Sequence, residues 1–188
     1  MNLPERVRTA LAKRCRRTMQ AGLVPAAVLV PLFLRNGAYH LLLTKRTDHL
    51  LHHGGEISFP GGALNPEERP EQGALRETWE EVGIHPGQVE ILGVLDDFSS
   101  IHNYLVTPLV GIIPGDYPYS VNHDEIERII EAPVAHFLDP AVLRMEPREW
   151  QGHFFTVRHY DFRGDDIWGL TAAILAQFLE IVFADELG

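Results

Sequence analysis

The stretch FPGGALNPEERPEQGALRETWEEVGI, residues 59–84, decides the fold. A Gly-Gly turn leads to Pro70, placed where a missing N–H costs a first helical turn little, and Gly83 stands where a left-handed C-terminal cap would fall. The span therefore predicts a helix from Pro70 to Val82. At about 100° per residue, Leu75, Thr78, Trp79 and Val82 form one stripe expected to face a core, with Glu77, Glu80 and Glu81 opposite. Those glutamates have two readings. They solvate an exposed face, with Arg76 and Glu80 pairing at i, i+4, or they hold a cation. Glu77 repels both Glu80 and Glu81, by about 0.2–0.5 kcal/mol per pair, and a bound divalent cation would remove that repulsion. Carboxylate oxygens suit Mg²⁺ or Mn²⁺.

Outward from the helix, PAAVLVPLFL (25–34) and YHLLLTKR (39–46) read as two paired strands with Asn36-Gly37 as the turn between them. VEILGVLDDF (89–98) and YLVTPLVGII (104–113) are β-branched and apolar enough for further strands. Ile167 to Phe183 carries apolar residues at helical spacing. Strands and helices alternate without a repeat, so an α/β sandwich around a mixed β-sheet is the simplest packing.

The chain has 188 residues, 45% of them hydrophobic, enough for one core. The expected organisation is a basic N-terminal helix, residues 1–20, packed on a single domain, residues 21–188. Val7, Leu11 and Cys15 recur there at helical spacing. The net charge of -10 is uneven: residues 1–20 carry six Lys/Arg against Glu5, leaving -15 on the remainder. A body that acidic repels phosphate backbones, so no nucleic-acid partner is expected. The single cysteine, Cys15, permits no internal disulfide and fits a reducing, cytoplasmic setting. The longest apolar run, Ala21 to Leu34, is shorter than the roughly 20 residues of a membrane helix and contains two prolines, so no membrane association is expected.

Counted from Gly62, five residues lead to Glu68 and seven more to Arg76-Glu77, and Thr78, Trp79, Glu80-Glu81, Val82, Gly83 and Ile84 complete the run. This order resembles the Nudix box; every charged and glycine position matches, with Thr78 in an apolar slot. The resemblance implies a Nudix-type α/β/α sandwich and a loop-helix-loop that holds Mg²⁺ or Mn²⁺ against a diphosphate, whose P–O–P bridge is cut by water. It implies Glu77 and Glu81 as the main metal ligands with Glu80 as a third. Glu68 would steady the loop, with Arg76, or join the outer shell, and Gly61 and Gly62 would let the backbone approach metal and phosphates closely.

Immediately upstream, LLTKRTDHLLHHGGEISFPGG (42–62) resembles the further signature of the coenzyme A pyrophosphatase branch. Leu42, Leu43, Thr44, Arg46, Gly55, Phe59, Pro60, Gly61 and Gly62 fit; Thr47 replaces a small residue, and Leu51 stands where that pattern has Arg. The implied substrate is coenzyme A or a derivative, bound by Lys45, Arg46, Gly61 and Gly62, with Glu77, Glu80 and Glu125 as catalytic candidates. Glu125, in HDEIERI, reads equally as an exposed residue at the start of a helix. Two alternatives stand beside this: hydrolysis of another nucleoside diphosphate derivative such as ADP-ribose, and a catalytically silent nucleotide-binding domain. The oligomer is expected to be a monomer or homodimer. His49, His52 and His53 have zinc-like spacing but no fourth ligand, and line a substrate mouth equally well. No serine sits in a nucleophile elbow, so the chemistry falls to carboxylates and water.

Overall fold

The computed structural model describes residues 2–20, 22–48, 55–150 and 152–187; His49, Leu51, His52 and His53 lie outside the described residues. Strand β1 (Val24–Arg35) is apolar along nearly its whole length because it is central and covered on both faces. It pairs antiparallel with β2 (Ala38–Arg46) through the Asn36-Gly37 turn, whose two residues have φ of 51° and 78°. It pairs in parallel with β7 (Tyr104–Ile112), making the sheet mixed. The main path is completed by β3 (Ile57–Ser58) beside β2 and β5 (Glu90–Val94) beside β7. Short β4 (Gly61–Ala63) pairs with β1, β6 (Phe98–Ser99) with β7, and β8 (Ile126–Pro133) with β2. A separate antiparallel sheet comprises β9 (Leu143–Trp150), β10 (His153–Phe162) and β11 (Asp165–Trp168), a region for which the sequence pattern predicts no strands.

Two helices sandwich the main sheet. Helix α2 (Pro70–Val82) covers one face through Ala74, against Ala27, Leu29 and Leu109, and Val82, against Phe33, Leu42 and Ile84. Helix α3 (Gly169–Val182) covers the other through Leu175, Phe178 and Leu179, in one core with Val30, Leu32, Leu41 and Leu43. No helix among the described residues is long and apolar enough to cross a membrane.

The expected stripe on α2 needs correction. Trp79 is 53% exposed, whereas Ala74, Thr78, Val82 and Glu81 are buried, Glu81 to 2%. The helix lies on the glycine turn of β4 as well as on apolar side chains, and a carboxylate can enter that face because a backbone N–H and a guanidinium meet it there.

Helix α1 is shorter than twenty residues, spanning Leu3–Ala12, with Asn2 and Glu5 forming a capping box. Leu3, Val7 and Leu11 enter the α3 core, and a Cβ on Gly93 of β5 would come within 2.5 Å of Leu11 Cδ1. Cys15 is exposed and outside the helix. The arginines after Ala12 leave helical geometry to meet Asp96 and Asp97: Arg14 pairs with Asp96, Arg16 with Asp97, and the Arg17 N–H donates to Asp96 Oδ1 at 2.8 Å. Gln177 of α3 also donates to Asp96, at 3.0 Å.

Partial burial pushes the Asp96 carboxyl up, but the Arg17 N–H and the Arg14 guanidinium outweigh it and hold the group below its ordinary value. A carboxyl depressed in the folded state adds stability above its unfolded pKa and loses it as pH falls through the folded one. Asp96→Asn should therefore be less stable than the parent near neutrality, with the deficit closing as pH falls below the ordinary carboxylate range. Melting temperatures from neutrality down through that range check this; a constant deficit would contradict it.

Candidate active site

The acidic cluster forms where α2 passes over β4 and the end of β2. Arg76 anchors it. Its Nε and Nη2 donate to the two carboxylate oxygens of Glu68, each at 2.9 Å, a two-point fork. The same guanidinium donates to Glu77 at 2.7 Å, to Glu80 at 3.1 Å and to the Ala63 carbonyl at 3.1 Å. The fork holds the Glu68 carboxyl below its ordinary pKa, and Asn65 N–H supports it. One arginine thus fixes the loop leading into α2 to the helix itself.

Glu77 and Glu81 lie one turn apart on the side of α2 facing β4, while Glu80 points toward solvent. Gly62 is the floor beneath Glu77: a Cβ there would stand 2.6 Å from the Glu77 carboxyl carbon. Gly62→Ala should therefore displace Glu77 and reduce turnover at least tenfold with little loss of melting temperature, since the methyl meets a side chain at the rim rather than the core. Unchanged turnover in that variant would show that the Glu77 position does not matter.

Glu81 accepts from the Gly61 N–H at 3.3 Å and pairs with Arg46 at 3.3 Å. Burial pushes its carboxyl up to about 8; Arg46 opposes the rise and Glu77 adds to it. Arg46 also reaches Glu125 at 3.7 Å, so it bridges α2 and the residue preceding β8. Its Nε is buried without a partner among the described residues. Glu125 is brought there by a loop that caps α2: Ser120 N–H donates to the Val82 carbonyl at 3.0 Å and Asn122 N–H to the Glu81 carbonyl at 2.9 Å. These satisfy helix carbonyls that have no partner inside the helix.

The expected residues are thus divided. Glu77, Glu81, Arg46, Glu125, Gly61 and Gly62 come together, with Glu80 at the rim. Lys45 is elsewhere: it pairs with Glu127 at 3.0 Å. Neighbouring residues on a strand point to opposite faces of the sheet, which separates Lys45 from Arg46. Ser120 and Asn122 were not expected, because only backbone groups carry their contact and no residue-type pattern marks it.

Among the described residues, no three carboxylate or imidazole groups already converge as a metal site. Glu77 and Glu80 are turned to Arg76, and Glu81 to Arg46. The donors nevertheless fit a small hard cation, being carboxylate oxygens beside a glycine floor, with Glu81 buried at a charge cost that a divalent cation would offset.

The NUDIX domain family model matches residues 23–157. The chain is 41% identical over 157 residues to an uncharacterized Nudix hydrolase, NudL, of Escherichia coli O7:K1 (strain IAI39 / ExPEC), with 81% of this chain and 79% of that protein covered. Among solved structures, a MutT/nudix family protein from Enterococcus faecalis superposes with a TM-score of 0.56 at 18% identity, covering 98% of this chain and 70% of that one. The Nudix hydrolase RenU from M. smegmatis gives 0.53 at 23% identity, covering 64% and 76%. At these identities the structural likeness is one of fold.

Proposed function

The chain belongs to the Nudix hydrolase family, and from that premise we propose that it cleaves the diphosphate of coenzyme A or a derivative, giving 3′,5′-ADP and phosphopantetheine, with Mg²⁺ or Mn²⁺. The observation that carries this reading is the meeting of the two motifs at Arg46. This residue of LLTKR is paired both with Glu81 of the glutamate helix and with Glu125.

Glu77 and Glu81, with Glu80 at the rim, would hold the cation. When bound, it offsets charge on the phosphate oxygens and makes water a stronger nucleophile. Arg46 is the anchor for a diphosphate oxygen, its delocalised charge suiting a phosphate better than a lysine would. It is preferred over Lys45 because it stands among the glutamates of the cluster, whereas Lys45 pairs with Glu127 away from them. Glu125, 45% exposed in its side chain, is free enough of the core to take a proton from the attacking water. Glu68 touches no reacting atom; through Arg76 it positions Glu77.

A panel of coenzyme A, ADP-ribose and a diadenosine polyphosphate, compared by kcat/KM, tests the substrate. Coenzyme A should lead by at least tenfold. Faster cleavage of ADP-ribose would replace this reading with a general nucleoside diphosphate hydrolase, and binding without turnover on any member would leave a silent nucleotide-binding domain.

A further inference from the structure

A second concave site lies along the edge of β8, which pairs with β2 alone among the described strands. It is an open groove of about 670 Å³, within the range of small-molecule sites, between that edge, the Tyr117–Tyr119 segment and the β10–β11 turn. At about 3.3 Å per strand residue, its walls at Arg128 and Glu131 stand roughly 10 to 20 Å from Glu125. It shares no residue with the acidic cluster.

Three guanidiniums enter it. Arg35 pairs with Glu131, and lies 3.7 Å from fully exposed Asp116; Arg128 pairs with Asp165 and, at 3.8 Å, with Glu127. Arg163 has no carboxylate partner among the described residues and is held over the Phe162 ring, 5.2 Å from its centroid. A free cation beside aromatic rings is a phosphate-and-base arrangement.

The backbone at Arg163 gives an independent reason to assign that side chain a role. Arg163-Gly164 is a two-residue hairpin turn with φ of 57° and 87°, the same geometry as Asn36-Gly37. At the first position asparagine is the favoured residue, and arginine is disfavoured in the left-handed region. One turn of this chain follows the backbone preference and the other departs from it, placing a guanidinium at the groove.

Inside the groove, two buried polar atoms lie close to each other. Oε1 of Glu131 and the Tyr119 hydroxyl are buried and make no well-aligned hydrogen bond among the described residues. Burial and the nearby Glu131 charge hold the Tyr119 hydroxyl above its ordinary pKa, so it remains a donor. A carboxylate acceptor and a phenol donor suit the amino and ring-nitrogen edge of a base, or ribose hydroxyls.

We propose that the β8 groove binds a nucleoside phosphate, with the phosphate on Arg163 and the base against Tyr117 and Tyr119. The moiety comes either from the far end of the substrate or from a free nucleotide.

The test is titration calorimetry with adenosine 5′-monophosphate in EDTA, where the acidic cluster holds no cation. The parent should bind, and Arg163→Asn should bind at least tenfold more weakly while melting at the same temperature or higher, because asparagine is favoured in that turn. Tyr119→Phe should weaken binding severalfold. Equal affinity in Arg163→Asn, or no binding by the parent at millimolar nucleotide, would overturn the proposal. The source is then read from kinetics: Arg163→Asn raises KM with kcat unchanged if the moiety is the substrate's own, and leaves KM unmoved if it is a free nucleotide. The calorimetric arm stays readable even if coenzyme A is not cleaved, so its failure and that of the proposed function are separable.

Discussion

Glu81→Gln and Glu77→Gln should each cut diphosphate hydrolysis by about a thousandfold or more, since losing a metal-binding charge removes several kcal/mol of transition-state stabilisation at about 1.4 kcal/mol per tenfold. The fold should survive. Glu81 is buried to 2%, and burial pushes its carboxyl up to about 8. A carboxyl raised in the folded state costs stability once pH passes above its unfolded value, and that cost grows until the folded pKa is reached. Glutamine, of the same shape and uncharged, removes the cost. In EDTA near pH 8 the Glu81→Gln protein should therefore melt no lower than its parent. Retention of more than about a tenth of parental turnover by both variants at saturating Mg²⁺ would contradict the assignment.

Deletion of residues 1–20 should be the most damaging change to the fold. Leu3, Val7 and Leu11 are buried in the core shared with α3, and fully burying each such side chain is worth about 1.5–3 kcal/mol. Together that is about 4.5–9 kcal/mol, a large part of the roughly 5–15 kcal/mol that holds a domain folded. Removal also uncovers the surface around Gly93 and strips Asp96 and Asp97 of their arginine partners. A fall of at least about 10 °C in melting temperature, or loss of soluble protein, is expected. An unchanged melting temperature and activity would mean that the segment is a targeting sequence or a dispensable arm.

The glutamate helix was legible because its signals are local: Pro70 in the first turn, and Gly83, with φ of 77°, as its left-handed cap. The paired strands β1 and β2 were legible for the same reason, their turn being Asn36-Gly37. The depth of Glu81 was not. Apolar spacing assigns a glutamate to the wet face, and only the tertiary meeting with Gly61 N–H and Arg46 makes its burial tolerable. The length of α1 was misjudged because Lys13 to Arg17 carry no helix-stopping residue; the acidic pair Asp96 and Asp97, about eighty residues away, draws the chain out of the helix. The β9–β11 sheet was missed because both faces of its outer part are wet. Glu146, Arg148 and exposed Phe154 and Phe155 mix charge and apolar surface without a period of two.

Mass spectrometry of coenzyme A incubated with the purified chain checks whether this acidic cluster and Arg46 serve cation-dependent cleavage of a coenzyme A diphosphate. With Mg²⁺ or Mn²⁺ the products should be 3′,5′-ADP and 4′-phosphopantetheine, with neither appearing in EDTA or with Glu81→Gln. Intact coenzyme A in the presence of either cation, or equal cleavage in EDTA, would contradict the account.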